Sequence, residues 1–280
     1  MTEAGAGAPG GSANTPSPGA RNGRRPSLHV EDVHKAFGGL RAVAGAGFEV
    51  ERGSITALIG PNGAGKTTLF NVLTGFLRPD RGRVELEGEL ISGRSPHAIA
   101  RRGMVRTFQI TKALAAMPVL DNMMLAASEQ PGEHLLGLLG RPRAWRRREA
   151  AVRERALGLL ETFDLADQAT EYAGTLSGGQ RKLLELARAL MAEPRILLLD
   201  EPMAGINRTL GRGLLEHMQQ LRRERGVTFL FVEHDMEVVM GESDHVVVMA
   251  QGEVIAEGPP GEVRRDRRVL DAYLGGGEAE

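Results

Sequence analysis

The sequence predicts an α/β fold: a mainly parallel sheet with helical crossovers, an N-terminal antiparallel β-region and an inserted helical subdomain. Three observations predict it. Short apolar, β-branched runs (SITALIG, RILLLDE, VTFLFVEH) alternate with longer segments of helical spacing, as when parallel strands are joined by helices. A glycine-rich turn, GPNGAGKTT, lies directly between the first of these strands and a helix. Between about Ser95 and Thr175 the character changes to mostly helical segments, which read as an insertion in the α/β core.

In chain order, LHVEDVHKAF and AGFEVERG read as two strands around a Gly-Gly turn, the start of the antiparallel region. SITALIG is a strand ending at the glycine-rich turn. KTTLFNVLTGF has helical spacing, and RPDRG breaks it. RVELEG alternates as a strand. The insertion contains AIARRG, the strand-like MVRTFQ, ALAAMPVLDNMMLAA and a basic segment ending in WRRREAAVRERALGLLETFDL. The core resumes with LSGGQRKLLELARAL, a helix opened by a Ser-Gly-Gly turn, then the strand RILLLDE, the helix LGRGLLEHMQQLRRERG and the strand VTFLFVEH. DHVVVMAQGEVIAEG reads as a hairpin and PPGEVRRDRRVLDAYLG as a final helical segment. The expected organisation is a disordered tail over 1–27, one folded domain over 28–274 with its helical subdomain at about 95–190, and a short tail over 275–280.

Bulk properties narrow the function. With 280 residues, 41% hydrophobic and 25% charged, the chain fits one globular domain carrying a subdomain. A net charge of -1 provides no field for nucleic acid. The basic run RPRAWRRREAAVRER interleaves glutamates with arginines, as a solvated helix face does. The single tryptophan is too little aromatic surface for base stacking. There is no cysteine, which excludes disulfides and thiolate chemistry. No apolar run approaches the roughly 20 residues of a membrane-spanning helix. The Gly/Ala/Pro/Ser-rich start has no apolar core, and Arg24-Arg25 is followed by no apolar stretch, so neither export signal fits. The chain is expected at the cytoplasmic face of a membrane, held there by a partner.

The chemistry is carried by a few stretches. Gly60-Pro61-Asn62-Gly63-Ala64-Gly65-Lys66-Thr67-Thr68 satisfies G-x-x-x-x-G-K-[ST] without mismatch, after a strand and at the start of a helix. Its glycines let backbone N–H groups cradle phosphates. Lys66 is expected to reach the β- and γ-phosphates, and Thr67 to place its hydroxyl on Mg²⁺. Only four of the 35 basic residues are lysines (Lys35, Lys66, Lys112, Lys182), which sharpens the interest of Lys66. Asp200 and Glu201 close a buried-type strand. Asp200 can hold Mg²⁺ through water, and Glu201 can orient or deprotonate an attacking water. Gln109 ends a strand-like segment and can coordinate Mg²⁺ or the attacking water. His234 closes the next strand and can contact the γ-phosphate. Ser177 can N-cap its helix, leaving Gly178 and Gly179 to offer backbone N–H groups to an anion. That turn lacks a lysine and a metal-binding hydroxyl. It can complete a phosphate site but hardly make one, so the expected arrangement is two chains head to tail, each completing the other's site.

The motifs GPNGAGKT, Gln109, LSGGQ (to Gln180), LLLDE and His234, in that order, resemble the ATP-binding subunit of ABC transporters, over Leu28 to about Leu274. LTGFLRPDRG, RTFQ, LELARALM, LDEPMAGIN and AYLG are similar to the LivG-type ATPase of branched-chain amino acid importers. The resemblance implies that Phe37 stacks on adenine, that Gln180 belongs to the signature contacting nucleotide, and that two ATPs are sandwiched between two ATPase subunits. The second subunit would be a paralogous chain, or otherwise a second copy. It also implies that the subdomain near Gln109 docks on permease subunits, with a solute-binding protein acting indirectly and no nucleic acid. Asn207 stands where many relatives have aspartate, and Arg208 where the LivG group has proline. Related ATPases serve importers of urea, amides and aromatic acids. A soluble ABC ATPase working on DNA or ribosomes would show a long coiled-coil insertion or duplicated ATPase domains. A self-contained P-loop kinase or GTPase would have no use for LSGGQ.

Overall fold

The computed structural model describes residues 25–107, 114–127, 142–206 and 208–274, so the expected sites Gln109 and Asn207 lie outside the described residues. Among the described residues, ten strands form two sheets. β1 (Leu28–Phe37), β2 (Leu40–Val50), β4 (Arg81–Leu86) and β5 (Glu89–Leu90) make an antiparallel sheet in the order β2-β1-β4-β5. The second sheet has the order β10-β9-β3-β8-β7-β6, with β3 (Ile55–Ile59), β6 (Met104–Arg106), β7 (Ile196–Asp200), β8 (Thr228–Val232), β9 (His245–Ala250) and β10 (Glu253–Gly258). Its pairings are parallel except β9–β10, a hairpin. The expected α/β fold with an N-terminal antiparallel region is therefore the observed one.

The central strands are apolar at nearly every position because both faces are covered. Leu58, Ile196, Leu198, Leu230 and Val232 point into one core. That core also holds Leu69, Phe70 and Leu73 of α1 (Lys66–Leu73) and the inner face of the antiparallel sheet. Ile55, Ala57, Ile59, Leu197, Leu199, Phe229 and Phe231 point into the other core. There they meet α3 (Val119–Leu125), α4 (Pro142–Thr162), α5 (Gly178–Leu190) and α6 (Arg208–Arg225). A fully buried side chain such as Phe70 contributes roughly 1.5–3 kcal/mol, and these two layers set the strand ends beside one another.

The core reaches into the stretch expected as a helical insertion. β6 pairs in parallel with β7, and Ile99 of α2 (Pro96–Ala100) sits in the same core as Leu58. Helix α7 (Met236–Glu242), N-capped by Asp235, follows β8, and α8 (Pro260–Val263) and α9 (Arg267–Leu274) close the chain. Ser27, expected in the tail, is buried; its N–H donates to Val50 O at 2.8 Å and its hydroxyl to Glu87 at 2.7 Å. Among the described residues no helix is long and apolar enough to cross a membrane.

Candidate active site

The loop Gly60–Gly65 joins β3 to α1, as its position in the sequence requires. A Cβ on Gly60 would stand 2.0 Å from Met249 O, and one on Gly65 (φ 98) would stand 2.2 Å from Ala42 O. Only glycine lets β9 and β2 press this closely on the loop. Gly65 is also the N-cap of α1 and supplies no side-chain acceptor, so the helix presents its first N–H groups and the positive end of its dipole without a side-chain cap. Ala64 is buried, Asn62, Gly63 and Thr67 are exposed, and Pro61 and Thr68 are intermediate. Lys66 is only 7% exposed and folds over the loop, donating to Gly60 O at 2.7 Å and Pro61 O at 2.9 Å. Burial holds its ammonium below the ordinary lysine pKa, while the charges of Glu201 and Asp200 oppose that shift.

Asp200 ends β7 and Glu201 follows in a left-handed conformation (φ 48). This conformation is uncommon for a side chain with a Cβ and turns the glutamate out of the strand direction. Glu201 N–H donates to Val232 O at 3.0 Å, fixing the turn to the end of β8. His234, two residues beyond β8, brings Nε2 to 2.8 Å from Glu201 Oε1. The structure therefore joins two of the expected residues directly. Between them stands a buried acid that the sequence reading passed over. Glu233 accepts from Met203 N–H at 2.8 Å and from His234 N–H at 3.1 Å, bracing both turns.

Asp200 is held by a second unanticipated residue. Arg106, the last residue of β6, donates from Nη2 to Asp200 Oδ2 at 2.6 Å and from Nη1 to Asn71 Oδ1 on α1 at 2.6 Å. Its guanidinium lies 5.7 Å from the Phe70 ring centroid. A largely buried charge at the end of a strand in a covered sheet needs a partner, but in the sequence nothing sets this arginine apart from the others. The oxygen donors Thr67 and Asp200 suit a hard cation held jointly with phosphates. Among the described residues no group of three or more His, Cys, Asp or Glu is arranged to hold a metal by itself.

Phe37 lies at the outer end of β1, 48% exposed, with Lys35 Nζ 5.8 Å from its ring. It pairs with Leu40, and Ala42, two residues farther along β2, is the strand residue against Gly65. The ring thus stands on the strand pair that carries the loop's neighbour. The Ser-Gly-Gly turn forms the N-terminus of α5, and here the expectation of an N-cap holds in full. Ser177 Oγ accepts from Gln180 N–H at 3.3 Å, and Gln180 Oε1 accepts from Ser177 N–H at 2.9 Å, a capping box. The Gln180 side chain is thereby used within the turn. Gly178 is exposed, whereas Gly179 is buried, with its Cβ position 2.1 Å from Leu210 Cδ1.

Known proteins resemble this chain over most of its length. The family described as ABC transporter matches residues 43–204, and the family described as branched-chain amino acid ATP-binding cassette transporter matches residues 253–279. The chain is 45% identical over 251 residues to the Pseudomonas aeruginosa high-affinity branched-chain amino acid transport ATP-binding protein BraF, covering 90% of this chain and 98% of that protein. It is 41% identical over 252 residues to LivG of Escherichia coli, which carries the same description, covering 90% and 98%. Among solved structures, a nucleotide-free ATP-binding cassette from an ABC transporter superposes with a TM-score of 0.78 at 39% identity, covering 89% of this chain and 99% of that one. A cassette in its ADP conformation superposes with a TM-score of 0.79 at 37% identity, covering 90% and 100%.

Proposed function

Since the chain belongs to the ABC transporter family of ATP-binding cassettes, we propose that it powers an importer for branched-chain or closely related amino acids. It binds ATP and hydrolyses it to drive transport, as cassettes of this family do. The observation that carries the hydrolytic reading is the 2.8 Å contact between His234 and Glu201, beside Asp200 at the end of β7. In this reading Lys66 exchanges the carbonyls of Gly60 and Pro61 for β- and γ-phosphate oxygens. The uncapped N–H groups of α1 and the loop Gly60–Thr68 hold the same phosphates. Glu201 orients the attacking water and takes its proton, and His234 fixes Glu201 and reaches the γ-phosphate. Thr67, Asp200 and Gln109 are the residues that would hold Mg²⁺, which supplies charge neutralisation at the phosphates.

The Ser177-Gly178-Gly179 turn completes the site of a second ATPase subunit. Its own capping box fixes the backbone, and Gly178 leaves its outer face open. The partners in this reading are integral-membrane permease subunits and a second cassette, a paralogous chain or otherwise another copy. A solute-binding protein acts through the permease, and the chain sits at the cytoplasmic face of the membrane. The amino-acid assignment rests on the relatives, several of which are described as branched-chain amino acid transport ATP-binding proteins. The test is to isolate the chain with the membrane protein that co-purifies, and to measure ATPase stimulation by solute-loaded binding protein. Stimulation by leucine, isoleucine or valine is expected. Stimulation by urea, an amide or an aromatic acid instead would overturn the solute assignment.

A further inference from the structure

We propose that Arg106 is a positioning residue for Asp200, the device that sets the carboxylate for the metal-bound nucleotide and ties three core elements together around it. The inference rests on the reading of Asp200 as the metal-facing acid. Arg106 Nη2 donates to Asp200 Oδ2 at 2.6 Å and Nη1 to Asn71 Oδ1 at 2.6 Å, so one planar fork spans β6, β7 and α1. The arginine side chain is only 10% exposed, so this charge-assisted pair is poorly screened. The Phe70 face at 5.7 Å covers the guanidinium from the core side.

Arg106 engages one Asp200 oxygen and restrains the carboxylate, so the acid meets an incoming cation in a set orientation. Removing Arg106 frees Asp200 from that restraint, which opposes nucleotide binding with metal. The fork also explains the placement of the residue. Arg106 is followed by Thr107, whose N–H donates to Leu198 O at 3.0 Å, so the chain leaving toward Gln109 starts from a point fixed against β7.

The experiment is a Mg²⁺ titration of AMP-PNP binding to the full-length chain, run alongside binding in EDTA. Losing one buried charge-assisted hydrogen bond corresponds to about a tenfold to hundredfold change in an equilibrium constant. Arg106→Gln is expected to raise the Mg²⁺ concentration for half-maximal binding by about tenfold or more, while affinity in EDTA is unchanged. Arg106→Lys keeps the charge but cannot hold both partners in fork geometry, and restores part of the shift. Asn71→Ala, which removes the other arm, moves the midpoint in the same direction by less, and it carries the test if Arg106→Gln does not fold. In Asp200→Asn the midpoint shifts, and adding Arg106→Gln produces little further change. An Arg106→Gln midpoint equal to wild type, beside a shifted Asp200→Asn midpoint, overturns the inference and leaves the reading of Asp200 standing. Equal midpoints in wild type and Asp200→Asn overturn that reading and the inference with it. Fully additive shifts in the double variant show that Arg106 acts elsewhere than on Asp200, which also overturns it.

Discussion

Glu185 offers a prediction whose size follows from the structure. It is the eighth residue of α5, the helix that opens at the Ser-Gly-Gly turn, and is 9% exposed. It lines a small cavity with Thr107, Lys182, Leu199, Asp200 and Leu214. Burial pushes its carboxyl from 4.5 up to about 7, with Lys182 and Arg188 pulling the other way. Between those two values the folded chain binds a proton that the unfolded chain has lost. Stability attributable to this group therefore falls as pH rises from about 4.5 to about 7, and the full penalty persists above that range. At about 1.36 kcal/mol for each pH unit, the gap comes to roughly 3 kcal/mol. Glu185→Gln keeps the volume and removes the ionisation. At pH 8.5 it should stabilise the chain by on the order of 2–3 kcal/mol, and at pH 4.5 by close to nothing. For a domain of this size that is a rise in melting temperature of about 4–10 °C at the higher pH. Melting curves of wild type and variant across this pH range decide the matter. Parallel curves, or a variant less stable at pH 8.5, would show that the carboxylate is satisfied where it sits and that the reasoning is wrong.

Three other outcomes follow from the site. Phe37 is exposed rather than packed in the core, so Phe37→Ala should leave the melting temperature nearly unchanged while weakening ATP binding by roughly 1–3 kcal/mol, and Phe37→Tyr should preserve it; equilibrium binding and melting on the same samples test both halves. Where the assembly pairs two copies of this chain, trans completion of the site is read by mixing a Lys66→Ala chain with a Gly178→Asp chain. Gly178 is the better position than Gly179, because a Cβ at Gly178 meets only Gly205 O at 3.8 Å whereas one at Gly179 collides with Leu210; partial recovery of ATPase activity is expected, and none would support a site closed within one chain. Glu233→Gln should keep the fold but loosen the bonds to Met203 and His234 N–H groups, lowering turnover about tenfold with ATP affinity retained, as steady-state kinetics and equilibrium binding would show.

Most of the fold was legible because its signals are local. The glycines at 60 and 65 are demanded by backbone approaches that no other residue permits, and a complete phosphate-loop motif announces the strand and helix on either side. The apolar runs of β3, β7 and β8 revealed a covered sheet because both of their faces are buried. What was not legible depends on contacts between segments distant in sequence. A three-residue strand such as β6 has no periodicity to display, so its place beside β7 appears only in three dimensions. Arg106 reads as one charge among many until Asp200 and Asn71 are seen on either side of it. Glu233 looks like a polar strand end until its carboxylate is found bracing two turns. The two glycines of the signature turn look alike in sequence. Only the packing of α6 separates the buried Gly179 from the open Gly178.

Hydrolysis at this site depends most directly on Glu201. The measurement is ATP binding and ATP turnover on one preparation of Glu201→Gln, in the assembled transporter. Because the change removes the base beside His234 but leaves the phosphate loop and Lys66 intact, binding should match wild type. Turnover should fall on the order of 10²–10⁴-fold. A variant that turns over ATP at close to the wild-type rate, or that loses ATP binding in step with its activity, would contradict the reading of this site.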